Sequence, residues 1–230
     1  MCGRLNMSLD PADLADELRL DVVSYDFTPR YNVPPGSFVP IVVERLDEDG
    51  QLNRRLETAS WGLVPAWAKD TKIGFKAFNA RSETVLEKPM FRQAIKRRRC
   101  ALPIPGYYEW EVTDDGKQPW MMTSAGDGPL FMAGLFEFWK QPDQSWLVST
   151  TIMTMESAGH LQGVHHRMPV FLSREHIDEW IDPATASSEV PALLDSVLGQ
   201  VDPAGVDRHK VGKEIGNVRN DRPELARPVA

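Results

Sequence analysis

Proline interrupts this chain too often for any long regular element to form. Of 230 residues 18 are proline, above the usual ~5%, and several sit in stiff runs such as Pro34-Pro35-Gly36 and Pro105-Gly106. Inside a helix a proline removes a hydrogen bond and clashes with the preceding turn; in a sheet it is confined to edges and bulges. The pattern excludes a helical bundle and calls for short strands joined by shaped loops.

Strands are expected at residues 5–7, 38–44, 52–59, 100–104, 120–124, 130–139 and 146–154, where apolar and β-branched residues run between turn signals. The run Asp47-Glu48-Asp49-Gly50 is a hairpin turn. Asp10 can cap a helix that has Pro11 at its first position and ends near Leu20. Further helices are expected at 89–97, with Phe91 and Ile95 inward, after Ser173 with Ile177, Trp180 and Ile181 on one face, and at 188–198. Residues 30–36 and 61–67 read as rigid loops, and 211–220 as a polar tail. The fold class is α+β: one domain over 1–230, core about 2–220, of curved, mostly antiparallel, barrel-like sheets with peripheral helices.

With 42% hydrophobic and 26% charged residues the chain is globular. No run reaches the ~18 apolar residues of a membrane span, so no membrane association is expected. Two cysteines, Cys2 and Cys100, without an export signal argue for a reducing cytoplasm. The net charge of −7 speaks against nucleic acid only weakly, because binding depends on the local patch.

The opening Met1-Cys2-Gly3-Arg4 places a reactive group in an unusual position. Removal of Met1 would leave Cys2 as a 1,2-aminothiol. Its α-amine, with a reference pKa of about 7.7–8.0 against about 10.4 for lysine, is substantially nucleophilic at neutral pH. An aldehyde meeting this pair forms an imine, onto which the sulfur closes to give a stable thiazolidine. The same cysteine also fits a frayed terminus.

Other residues carry similar double readings. Strand alternation puts Glu109 and Glu111 on one face, with Trp110 opposite, where a carboxyl among aromatics becomes a general acid or remains a solvated edge residue. His165 and His166 can supply an acid/base or simply hydrogen-bond locally. Arg4, Arg81 and the run Lys96-Arg97-Arg98-Arg99 suit phosphates, and Trp61 and Trp67 suit base stacking, although the run also fits a solvated helix end. Cys100 lies in an apolar strand and reads as inert. No zinc-ligand spacing, P-loop, G-x-G-x-x-G or G-x-S-x-G is present, and no cofactor is expected.

Seven blocks in this order resemble the SRAP family, the SOS-response-associated peptidase or abasic-site-processing proteins: residues 1–4, 30–36, 61–67, 79–84, 106–110, 164–169 and 216–220. The resemblance implies covalent capture of abasic sites in single-stranded DNA by a monomer. In that case Cys2 is the nucleophile after Met1 removal. Asn79 would hold the opened sugar and the Cys2 backbone, Glu109 would assist ring opening, and His165 would act as acid/base and in crosslink reversal. Thr154 would line the site. Arg4 and Arg81 would clamp phosphates, and Pro35, Trp67 and Trp110 would form the wedge and stacking surfaces. Ala68 and Met168 depart from residues some relatives carry. Two other readings stay open: a thiol (auto)peptidase with Cys2 as nucleophile and His165 as base, and a non-covalent single-strand binder.

Overall fold

A computed structural model describes residues 2–25 and 28–229; the expected loss of Met1 concerns a residue outside that range. The strands are β1 Leu5–Met7, β2 Val22–Ser24, β3 Arg30–Val33, β4 Phe38–Leu46, β5 Leu52–Trp61, β6 Asn79–Arg81 and β7 Arg99–Ile104. They continue as β8 Gly106–Thr113, β9 Gly116–Ser124, β10 Leu130–Lys140, β11 Trp146–Glu156, β12 Arg167–Pro169 and β13 Val206–Lys210. The α-helices are α1 Pro11–Leu18, α2 Ala94–Arg97, α3 Arg174–Ile181 and α4 Val190–Gly199.

Five of these strands close on themselves. β4 pairs antiparallel with β5 and β7, β7 with β10, and β10 with β11. β11 then returns to β5 through a short parallel ladder, Ser149 opposite Ser60 and Thr150 opposite Trp61. Alternation along each strand separates two apolar faces. Val39, Ile41, Val43, Trp61, Cys100, Leu102, Met132 and Ile152 belong to one cluster, drawn from all five strands, which is the barrel interior. Val42, Leu56, Ala101, Ala133, Leu135 and Met153 face outward, where Leu14 of α1, Trp180 of α3 and Leu194 of α4 cover them.

A second sheet runs in the order β13-β9-β8-β1-β3. Leu5, Met7, Tyr107, Met122 and Val206 continue the interior cluster of the barrel. Tyr108 and Met121 lie on the opposite face, under Val211, Ile215 and Leu225 of the C-terminal segment. The mostly antiparallel, barrel-like α+β fold is thus present, with its helices peripheral.

Local expectations fared unevenly. Asp10 caps α1 by accepting from the Ala12 amide at 2.9 Å, but the helix ends at Leu18 because Arg19 turns left-handed at φ 52°. Residues 30–33, expected in a loop, form β3 against β1, since the prolines stop the strand only after Val33. The helix expected at 89–97 is α-helical only over Ala94–Arg97, yet Phe91 and Ile95 do face inward. Ser173 precedes α3 but engages the His176 ring at 2.6 Å rather than a backbone amide. Strand β13 was not foreseen. The basic run is not a uniformly solvated helix face: Arg99 is 3% exposed and donates to the Trp180, Ile95, Lys96 and Asp182 carbonyls.

Candidate active site

The chain reaches the site along β1. Leu5 pairs with Tyr107 of β8, and the ladder runs on past the strand as Tyr108 N–H donates to the Arg4 carbonyl at 2.9 Å. Cys2 is thereby drawn alongside β8 and fully buried in the apolar cluster that holds Tyr107, Val164 and Met168. Asn79, at the start of β6, donates its Nδ2 to the Cys2 carbonyl at 2.7 Å. Its position is set by a parallel ladder with β11, Asn79 opposite Ile152. Asn79 Oδ1 is buried and finds no partner among the described residues. A buried amide oxygen left this way is costly unless something else occupies it.

Burial pushes the Cys2 thiol well above its ordinary value, and the nearby Glu109 carboxylate adds to the rise. Glu109 itself is 4% exposed. Burial raises its carboxyl, against the opposing pull of the Trp110 backbone amide and the His166 ring. Burial likewise holds the Tyr107 hydroxyl well above its ordinary value, and the charges of Cys2 and Glu109 add to the rise. An acid with a raised pKa next to a thiol that stays protonated is suited to give protons rather than take them.

His165 and His166 stack at 4.3 Å between ring centroids. His165 Nδ1 lies 2.9 Å from the Arg167 amide nitrogen and 3.1 Å from the Arg167 carbonyl. Exchange of a proton with a ligand therefore falls to its Nε2. Burial lowers the His165 pKa, which favours the neutral ring at physiological pH. His166 is exposed and is lowered mainly by the charge of His165.

Thr154 is fully buried where β11 meets β6 and β12, opposite Arg81 on one side and Pro169 on the other. The loop carrying His165 is tied to it: Arg167 donates to the Thr154 carbonyl at 2.7 Å and forms a two-point ion pair with Glu83. Arg81 itself is exposed. Arg4 is more constrained than a phosphate clamp need be. Its Nη1 donates to Asn32 Oδ1 at 2.5 Å and to the Ile215 carbonyl at 2.8 Å, and its guanidinium lies 5.6 Å from the Trp110 ring. Asn32, fully buried, spreads its Nδ2 protons over the Ile215, Asn217 and Asn220 carbonyls. Arg4 and Asn32 thus clasp the C-terminal segment against the second sheet.

Of the wedge residues, Trp67 is 59% exposed, while Pro35 and Trp110 are half-buried. Pro35 precedes Gly36, whose φ of 88° turns the chain so that its amide reaches the Trp61 carbonyl at 2.7 Å. Gly62 lies against Gly74, where a Cβ would fall 2.7 Å from the Gly74 carbonyl oxygen. Glycine at 62 therefore lets the two loops touch. Cys2, Asn79, Glu109, the histidine pair and Thr154 are brought into one region, and Arg81 and Arg4 flank it. Sequence reasoning missed Asn32, Glu83 and Arg167, although all three lie inside the blocks it had singled out.

Comparison with known proteins shows what the whole chain is similar to. The chain is 34% identical over 228 residues to abasic site processing protein YoqW of Bacillus subtilis, covering 98% of each chain. It is 35% identical to YoaM of the same organism, over 98% of this chain and 97% of the relative. The chicken abasic site processing protein HMCES matches at 32% identity, over 88% of this chain and 67% of its own length. A crystal structure from Bacteroides thetaiotaomicron superposes over the full length of both chains with a TM-score of 0.83 at 22% identity, which speaks to fold. A phage-related protein from Bordetella bronchiseptica superposes with a TM-score of 0.70 at 28% identity, over 91% of this chain and 94% of that one. The model of the SOS response associated peptidase (SRAP) family matches residues 1–218, and the chain belongs to that family.

Proposed function

We propose that this protein processes abasic sites in DNA, capturing the lesion covalently through Cys2 once Met1 has been removed. In its ring-opened form an abasic deoxyribose carries a C1 aldehyde. The Cys2 amine adds to that carbon, the resulting carbinolamine loses water to give an imine, and the thiol adds across the C=N bond. The sulfur bonds to carbon, its proton passes to nitrogen, and one water is released overall.

Each neighbouring group has a task in that sequence. Glu109, its carboxyl raised by burial, holds the proton that ring opening and water loss require. His165, kept neutral by burial, accepts a proton from the sugar hydroxyl through Nε2 and returns it when the crosslink reverses. Asn79 holds the Cys2 carbonyl and offers Oδ1 to the opened sugar. Arg4 and Arg81 meet the flanking phosphates. Trp67, with Pro35 and Trp110, stacks against the strand and favours single-stranded DNA. The same imine permits β-elimination, so a lyase activity accompanies capture.

The observation that carries the reading is the 2.7 Å hydrogen bond from Asn79 to the Cys2 carbonyl, which ties the second residue of the chain to the site. The names of the relatives, abasic site processing proteins across nearly the full length of this chain, support the same substrate. A thiol peptidase is favoured less, because it works through a thiolate with a depressed pKa, and burial drives the Cys2 thiol the other way. The test is a denaturing gel after mixing processed protein with a single-stranded abasic oligonucleotide. A shifted band that disappears with Cys2→Ala is expected. Its absence with the unmodified site, or its persistence in the variant, overturns the proposal.

A further inference from the structure

The face of the second sheet that carries Glu109 does not end at Glu109. Residues directly opposite in adjoining antiparallel strands share a face, and the pairing of β8 with β9 and of β9 with β13 sets out rows across it. One row is Glu109, Trp120 and Lys210; the next is Tyr107, Met122 and Arg208. Trp120 is half-buried, and its Nε1 donates to Glu111 at 2.9 Å, which fixes the indole plane. Over that indole lie two cations, the Arg208 guanidinium at 4.8 Å and the Lys210 ammonium at 5.7 Å from the ring centroid.

Among the described residues neither cation is spent on an acid. No ion pair to Arg208 or Lys210 occurs among the described residues, whereas Arg30, Arg45, Arg54, Arg98 and Arg167 each meet a carboxylate. Arg208 also reaches toward the loop before His165: a Cβ added at Gly163 would lie 3.5 Å from its Nη1. Lys210 also lines a groove of about 290 Å³ with Lys117 and Lys213, and Glu111 and Asp115 share its lining. In a chain of net charge −7, such a cluster next to the candidate site is a local positive patch, which governs nucleic-acid binding more than total charge does.

We propose that Arg208 and Lys210, held over Trp120, form a second phosphate track that grips the DNA strand on the side of the lesion away from Arg81. The inference rests on the reading of the protein as an abasic-site binder and names how the same site holds the strand beyond it. Arg81 ends β6 opposite Thr154, whereas the Trp120 row runs from Glu109 across β9 to β13; on this proposal a strand passing through meets cations before and after the lesion.

The experiment measures equilibrium binding, by fluorescence anisotropy, to a single-stranded oligonucleotide bearing a stable abasic analogue without an aldehyde, so that no covalent step contributes. Losing a phosphate contact should flatten the dependence of log K on log salt by about 0.7 for single strands. Arg208→Ala/Lys210→Ala should bind more weakly and lose about 1.4 of slope, the sum of two contacts. Lys140→Ala, which removes a like charge from the end of β10, should leave the slope alone. Lys210→Ala by itself, at an exposed position, should lose about half the effect of the pair and guards against misfolding of the double variant. With oligonucleotides extended on only one side of the lesion, the double variant should weaken binding to one and not the other. A wild-type slope in the double variant, or equal weakening of both one-sided oligonucleotides, overturns the track. Failure of the abasic-site reading itself would appear separately, as an unmodified chain that forms no adduct with a natural abasic site.

Discussion

Replacing Asn79 by aspartate should slow covalent capture by about one to two orders of magnitude while changing almost nothing in shape. The perturbation is confined to one atom: the Nδ2 that donates to the Cys2 carbonyl at 2.7 Å becomes an oxygen. The carbonyl then faces a lone pair inside a site where Cys2 is fully buried. Leaving a buried acceptor unsatisfied costs about 1–3 kcal/mol. If that cost is borne in holding the Cys2 backbone for attack, about 1.4 kcal/mol per decade converts it to a rate loss of about 5- to 150-fold. The assay is single-turnover adduct formation with an abasic oligonucleotide, quenched and resolved on a denaturing gel, beside a thermal melt of each variant. Because a protonated aspartate can donate again, the variant should recover part of its rate as pH falls. Asn79→Ala should be slow at every pH. An aspartate variant that captures at the wild-type rate at neutral pH would refute the positioning role.

Three further outcomes follow from the same geometry. Glu109→Gln should raise stability near neutral pH while slowing capture. Since the folded-state pKa of Glu109 is raised, the wild type binds more protons folded than unfolded. It therefore loses stability as pH rises from the unfolded pKa toward the folded one, by about 1.4 kcal/mol for each pH unit between the two. The advantage of the variant in a melt should vanish below the unfolded pKa. His165→Gln should remove from the rate profile the step that lies below the ordinary histidine pKa, because the wild-type ring has a lowered pKa, while the fall that follows protonation of the Cys2 amine remains. Asn32→Ala should cost about 1–3 kcal/mol by stranding the Asn220 carbonyl and taking one of two donors from the Ile215 and Asn217 carbonyls, readable as a drop in denaturant midpoint and as faster proteolysis of the C-terminal segment.

Local chemistry made part of this molecule readable from its residues. Asp10 with Pro11 announced a helix, and the cap is there; Phe91 and Ile95 point inward as expected even though the helix around them shrinks to Ala94–Arg97. What resisted reading depends on partners distant in the chain. Strand β13 carries Asp207, Arg208, His209 and Lys210, which have no apolar pattern to betray a strand, and it exists because β9 offers it an edge. The barrel closes through a parallel contact of Ser149 and Thr150 with Ser60 and Trp61, which no local signal encodes. Arg99, in a run that reads as solvated, is buried by four carbonyls from α2 and the end of α3.

The site shows the same division. Cys2, Glu109 and His165 were picked out by their own reactivity, and Asn79 by the block it stands in. The residues that hold them in place were not. Glu83 and Arg167 look like ordinary charges until the ion pair beside Thr154 is seen. Asn32 looks like a loop residue until its amide is found beneath three carbonyls almost two hundred positions away.

Cys2, freed of Met1, is proposed to bond to the abasic carbon through both nitrogen and sulfur. Intact mass spectrometry of the product under denaturing conditions tests it directly. The expected mass is that of the chain without Met1 plus the oligonucleotide minus one water, with Cys2 blocked to thiol and amine reagents alike. No adduct, an adduct that retains Met1, or one formed equally well by Cys2→Ala would contradict it.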